Sequence, residues 1–271
     1  MKIIMKYFDV YLLCQTAGNL LTGEFVRTVN DFFEPFFEGY DKQNIFDKHS
    51  ILHEFCEWIV RMNVDNEAEE DDVIEEIRDA YRLREYGASG ALWVDRALNQ
   101  YFGKEKNFLN WIEENTDKKI DEMTNDEVSD WKYQYLETIE LGEDIFEDLV
   151  MQLSNEMFYI LFQNRDFLHN FNSFLATYNN EVKKRITIPQ WVQRAVYFRD
   201  RGCCVFCGKD LSGFLHVIEE KEIHYDHMVP LAENGINDIS NIQLSCNQCN
   251  HKKSAKSKTS TVYQQWYNLD P

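Results

Sequence analysis

The chain has 271 residues, and 47 acidic against 28 basic residues give it a formal net charge of −19 at pH 7. Taken whole, that charge opposes binding to a polyanion, while 44% hydrophobic and 14% aromatic content excludes wholesale disorder. No uninterrupted apolar stretch reaches the ~20 residues that span a bilayer, so no membrane segment is expected. In the amino-terminal run MKIIMKYFDVYLLCQ, Lys6 and Asp9 break the apolar pattern and no small-residue cleavage site follows. It reads as the first helix or strand of a fold rather than a signal peptide.

Apolar residues then recur at spacings of three and four. Ile51, Phe55, Trp58, Ile59 and Met62 share one helical face, as do Ile74, Ile77 and Tyr81. Ile145, Leu149, Val150, Leu153, Met157, Ile160 and Leu161 form a third such stripe. Gly39-Tyr40, Gly87 to Gly90, Gly103 and the polar run from Glu114 to Asp121 read as breakers, and Asn125 or Ser129-Asp130 as N-caps of the helix carrying Trp131 and Leu136. The acidic run Asp65–Asp72 is expected to be a solvated loop and helix first turn, where carboxylates favour the positive end of the dipole. Six to eight helices in an irregular bundle are predicted. Cys14 and Cys56 lie in apolar helical stretches and read as core residues.

Near residue 183 the character changes, beginning with Lys183-Lys184-Arg185. Residues 181–260 carry twelve Lys/Arg and nine Asp/Glu, a balance of +3, and Asp270 is the one charge beyond them. Residues 1–180 therefore hold −21. We divide the chain into an acidic helical accessory or regulatory domain, 1–184, and a second domain, 185–271. The second opens with a helix entered through Pro189 and running to Gly202, followed by strands at Leu215–Ile218 and Ile223–Tyr225 and a Lys-rich terminal helix.

Five of the seven cysteines fall in the last quarter. An odd, clustered count is unlike a secreted disulfide scaffold and implies a reducing, cytoplasmic setting. Cys204-Val-Phe-Cys207 and Cys246-Asn-Gln-Cys249 are two C-x-x-C pairs, whose tight turns let four thiolates face one tetrahedral Zn²⁺ in a closed, structural site. Cys203 is the spare. Between the pairs, an alternating strand ends at Asp226-His227 before Pro230, an Asn234-Gly235 turn and Asn237-Asp238 return the chain to Asn241, and Asn250 lies on the first turn of the last helix.

This arrangement, over about residues 190–256, resembles the HNH nuclease family, whose ββα-metal finger is often flanked by two such knuckles. The expected fold is therefore mainly α: an irregular helical bundle followed by a small α+β finger with a structural zinc. The resemblance implies a metal-dependent endonuclease. Asp226 matches a ligand of a catalytic Mg²⁺ or Mn²⁺ ion, His227 the general base, and Asn241 the residue that orients it. Asn250 stands at the last motif position as second metal ligand, making an H-N-N variant; His251 competes for that role but lies one step, roughly 100°, around the helix. Arg194, Arg199, Arg201, Lys252, Lys253 and Lys256 are expected to line a phosphate path, with DNA as substrate. A non-cleaving zinc-stapled binding module is the alternative. The acidic bundle is expected to bind a protein partner or self-associate and to control the nuclease, in defence against phage or other foreign DNA.

Overall fold

A computed structural model of the chain describes residues 5–6, 8–22, 45–69, 73–84, 91–103, 107–142, 144–179, 184–213, 219 and 222–260. Ten α-helices and one two-stranded antiparallel sheet lie among them, the mainly α architecture expected. The helices are α1 (Val10–Leu20), α2 (Ile51–Glu69), α3 (Val73–Leu83), α4 (Trp93–Phe102), α5 (Phe108–Asn115), α6 (Asn125–Gly142), α7 (Asp144–Gln163), α8 (Arg165–Tyr178), α9 (Gln190–Arg199) and α10 (Asn247–Lys253). The sheet pairs β1 (Ile223–His227) with β2 (Ile242–Cys246). The strand expected at 215–218 and the breakers at 39–40 and 87–90 lie outside the described residues. No described helix is long and apolar enough to cross a membrane.

Contacts divide the chain into two compact units, one of Met1–Leu13 with Cys56–Met157, the other of Cys14–Phe55 with Phe158–Pro271. The change of sequence character at 184/185 falls inside the second unit.

In the first unit, buried polar side chains tie helix ends that local sequence leaves uncapped. Leu92, at the N-cap of α4, offers no side-chain cap, and Glu67 supplies it instead, accepting from Trp93 N at 2.5 Å and Val94 N at 3.4 Å. Glu67 is thus buried, not part of a solvated acidic run. Asp95 joins α4 to α5 and α6, accepting from Phe108 N and Tyr135 Oη. Arg78 donates to the carbonyls of Ile120 and Met123 and to Asn125 Oδ1. Helix α6 begins at Asn125 because Thr124 and Glu127 form a reciprocal capping box, Thr124 N to Glu127 Oε2 at 2.7 Å and Glu127 N to Thr124 Oγ1 at 3.2 Å; Ser129-Asp130 lie inside it. Gly103 ends α4 at φ 65°, where its N–H closes on Asn99 O without a Cβ penalty.

Burial pushes Glu67 from 4.5 up to about 7 and Asp95 from 3.8 up to about 6. Both carboxyls hold their protons more tightly folded than unfolded. Their stabilisation is complete below the unfolded values and is lost as pH rises through about 6 and 7. The urea midpoint of the first unit is expected to fall between pH 5 and pH 8, Glu67 alone accounting for ~2–3 kcal/mol. Glu67→Gln keeps an acceptor for Trp93 N, so it should flatten that dependence; an equally steep profile in the variant would exclude Glu67 as the source.

The second unit gathers α8, α9, the sheet and α10 around a mixed core. Phe55 packs on Phe171, and Val192, Val196, Leu211, Ile242 and Leu244 are buried. Ser50 caps α2, its N–H and Oγ meeting His53 Nδ1 at 3.1 and 2.8 Å. His53 stands where a capping box carries Glu or Gln, and burial, reinforced by His49, lowers it to about 4, so that the ring is neutral and accepts. Strand β2 is buried along its whole length.

Candidate active site and metal centre

The knuckle after α9 closes through Gly208 N to Cys204 O at 2.8 Å and Cys204 N to Lys209 O at 2.9 Å. Cys246 ends β2 and Cys249 lies in the first turn of α10. Val205 N, bonded to Leu244 O at 3.0 Å, fastens the first knuckle to the strand carrying the second. The four sulfurs lie within 4.8 Å of one another, with Cys207 and Cys246 Sγ 3.8 Å apart. A tetrahedron with Zn–S bonds of about 2.3 Å has edges of about 3.8 Å, so the cluster fits zinc. Burial and the neighbouring thiols push the Cys249 thiol strongly up. A dication reverses that preference and holds all four as thiolates. Cys203 stands outside the cluster, its thiol directed to Arg201 O.

Strand β1 ends at His227, as the Asp226-His227-Pro230 pattern requires, and Asp226 pairs with Gln243, His227 with Ile242. Asp226 and His224, two apart, share one face of β1, and α10 supplies the groups opposite. Asn250 Nδ2 meets His224 Nδ1 at 3.3 Å. One turn on, Lys253 Nζ reaches Asp226 Oδ2 at 2.9 Å and His227 O at 2.7 Å. Positions 250 and 253 therefore face β1 together, whereas His251 is exposed. Asp226 Oδ1 and Asn250 Oδ1 make no hydrogen bond among the described residues. These two oxygens are hard donors of the kind that suit Mg²⁺ or Mn²⁺.

The His227 side chain is buried, and burial is the main cause that lowers its pKa, with Arg185 and Lys253 adding to it and the Asn237 hydrogen bond and Asp226 opposing. The ring is neutral at pH 7 and able to accept a proton. Its side-chain contact is with Asn237, Nε2 to Oδ1 at 3.1 Å. Asn241 was the residue expected to orient the ring. Its fully buried amide instead braces the loop, accepting from Val229 N and donating to Val229 O and Ile236 O at 2.9–3.0 Å. The loop is closely packed: a Cβ on Gly235 would lie 2.0 Å from Val229 O. Asn237 has no signature in the sequence beyond its place in a turn, because its contact is with a carbonyl 53 residues away.

Of the six basic residues expected on a phosphate path, Arg194, Arg201, Lys252 and Lys256 are exposed. Arg199 and Lys253 are buried and committed: Arg199 pairs with Asp200, donates to Ile242 O and lies over the Phe162 ring, while Lys253 binds Asp226. Both charges are thus paired within the fold. Two concavities border this region. One, of about 450 Å³, runs along the segment 185–188 to His224 and Tyr225 with Arg185 on its wall. The other, of about 200 Å³, lies among Phe206, Lys252, Lys256 and Lys258.

A two-stranded antiparallel ribbon, a following helix and a four-cysteine staple define a ββα-metal finger with a zinc knuckle. Residues 204–256 match the family model described as HNH endonuclease, so this part of the chain is an HNH domain. No curated protein and no solved structure matches the chain.

Proposed function

We propose that the protein is a metal-dependent endonuclease that hydrolyses DNA phosphodiester bonds. The observation that supports this most is the placement of a buried His227 next to Asp226 at the end of β1, with Asn250 on the helix that packs against that strand. His227 takes the proton from a water that attacks phosphorus in line with the leaving 3′-oxygen, leaving a 5′-phosphate. Asp226 and Asn250 would hold the ion, with Lys253 fixing the Asp226 carboxylate. When bound, Mg²⁺ or Mn²⁺ offsets charge on the phosphorane and the leaving oxygen. Arg194, Arg201, Lys252 and Lys256 attract the backbone, and the cleft beside Arg185 accepts the strand next to the scissile phosphate.

The acidic helical region, 1–184, we assign to control of that activity, by binding a partner or a second copy, and the whole to cytoplasmic defence against foreign DNA. The support is electrostatic: residues 1–180 carry −21, which repels DNA from a nuclease that would otherwise act on host DNA. His227→Ala is expected to lower plasmid nicking in Mg²⁺ or Mn²⁺ at least about 100-fold while retaining DNA binding, and to abolish protection of a phage-challenged host. Wild-type protein that binds DNA and never nicks it would instead establish a non-cleaving binding module. Equal survival of hosts carrying wild type and variant would remove the defence role.

A further inference from the structure

We infer that Asn237 is the positioning residue for His227 and that it leaves ring atom Nδ1 to take the proton from water. The inference rests on the reading of His227 as the general base. Asn237 Nδ2 donates to Lys184 O at 3.0 Å. A carbonyl only accepts, so this contact fixes which end of the amide is NH₂ and turns Oδ1 towards His227. Amide oxygen also only accepts, so His227 Nε2, 3.1 Å away, must carry the hydrogen. A neutral imidazole has one N–H, and its lone pair therefore sits on Nδ1, which makes no hydrogen bond among the described residues.

The amide is held as firmly as it holds the ring. Asn237 is 5% exposed, and its own carbonyl accepts from Phe46 N at 3.0 Å. The next residue, Asp238, accepts from Ser240 N at 2.8 Å and Ile51 N at 3.4 Å, the latter at the start of α2. Residues 46–51 and 184 thus fix the side chain that sets the base, and all lie in the second unit. In the reaction, a water O–H bond breaks as the Nδ1–H bond forms. The oxygen's electron pair goes to phosphorus, the P–O3′ bond breaks with its pair left on O3′, which takes a proton from solvent, and the imidazolium keeps its Nε2–H on the amide dipole of Asn237.

The test uses the full-length, zinc-loaded chain labelled with [¹⁵N]histidine, without added Mg²⁺, and long-range ¹H–¹⁵N correlation at pH 8. The His227 signals are identified by their loss in His227→Ala. Wild type is expected to show the Nε2–H form alone. Asn237→Ala should give mixed tautomers and a kcat about 10–100-fold lower with KM for DNA unchanged. Asn237→Asp retains an acceptor and should restore the Nε2–H form and part of kcat. If Asn237→Ala does not fold, Asn237→Ser, with a shorter acceptor, is read by the same two signals. An Nδ1–H signal in wild type, or an alanine variant with wild-type tautomer and kcat, overturns the inference. A chain that shows the Nε2–H form yet cleaves nothing upholds the placement of Asn237 and overturns only the nuclease reading.

Discussion

Stripping the four-cysteine site with a strong chelator is expected to unfold the second unit while the helices of the first persist. Structural zinc in a site of this kind contributes a binding free energy on the order of 10–16 kcal/mol at neutral pH. A typical domain's entire stability is about 5–15 kcal/mol. The reason the loss spreads lies in what the ion joins. Cys204 and Cys207 belong to the turn after α9, Cys246 closes β2, and Cys249 lies in the first turn of α10, the helix that presents Asn250 and Lys253 to β1. Without the ion, the thiols return to their neutral forms, and the contacts described between α10 and β1 reduce to the Lys253–Asp226 ion pair and the hydrogen bonds of Lys253 and Asn250. Metal analysis should find one zinc per chain, and Cys246→Ser should lose it together with the second unit's melting transition. Cys203→Ser, outside the cluster, should retain both. A chelated protein with an unaltered melting profile would mean that the cluster is not a structural centre.

Replacing Asp200 by Ala is expected to destabilise the second unit by about 3–5 kcal/mol. Its carboxylate takes Arg165 Nη1 at 3.0 Å, Arg199 Nε and Nη2 at 2.9 Å, and Leu244 N at 2.8 Å, with side-chain exposures of 0–1% for Asp200 and both arginines. One side chain therefore ties α8, α9 and β2 together. Truncation leaves two guanidinium charges buried without their carboxylate and a strand N–H without an acceptor. Arg165→Met removes a charge from the same cluster but leaves Asp200 paired with Arg199, so its cost should be smaller. Urea unfolding of the three proteins compares them directly, and an Asp200→Ala midpoint close to wild type would show that water reaches these charges.

The zinc ligands were legible because the chemistry is written in spacing: two thiols two residues apart need nothing from the rest of the chain to share an ion. The end of β1 at His227 was legible for a similar reason, since Pro230 stops what alternation builds. That position 250 faces β1 while His251 faces solvent followed from helical direction, whichever residue holds an ion. What sequence patterns could not reveal were side chains whose partners lie far along the chain. Arg199 and Lys253 look like surface cations in a basic stretch until Asp200, Ile242 O, Asp226 and His227 O are brought to them. Glu67 sits in a run of acidic residues and is told apart only by the uncapped N-terminus of α4, 26 residues away. The Thr124-x-x-Glu127 box, by contrast, was written locally and sets the start of α6 ahead of Ser129.

Helix α8 bears on where the HNH domain can be cut from the rest of the chain. Asn172 is hydrogen-bonded to Ser240, Asn179 to Asn234 O, Arg165 to Asp200 and Ser260 O, and His169 to Ser257. A fragment begun at residue 185, where the charge changes sign, would contain the family match at 204–256 and still discard this helix together with the 46–51 clasp on Asn237 and Asp238. The recognisable motif and the smallest self-sufficient folded unit around it are two different lengths of chain.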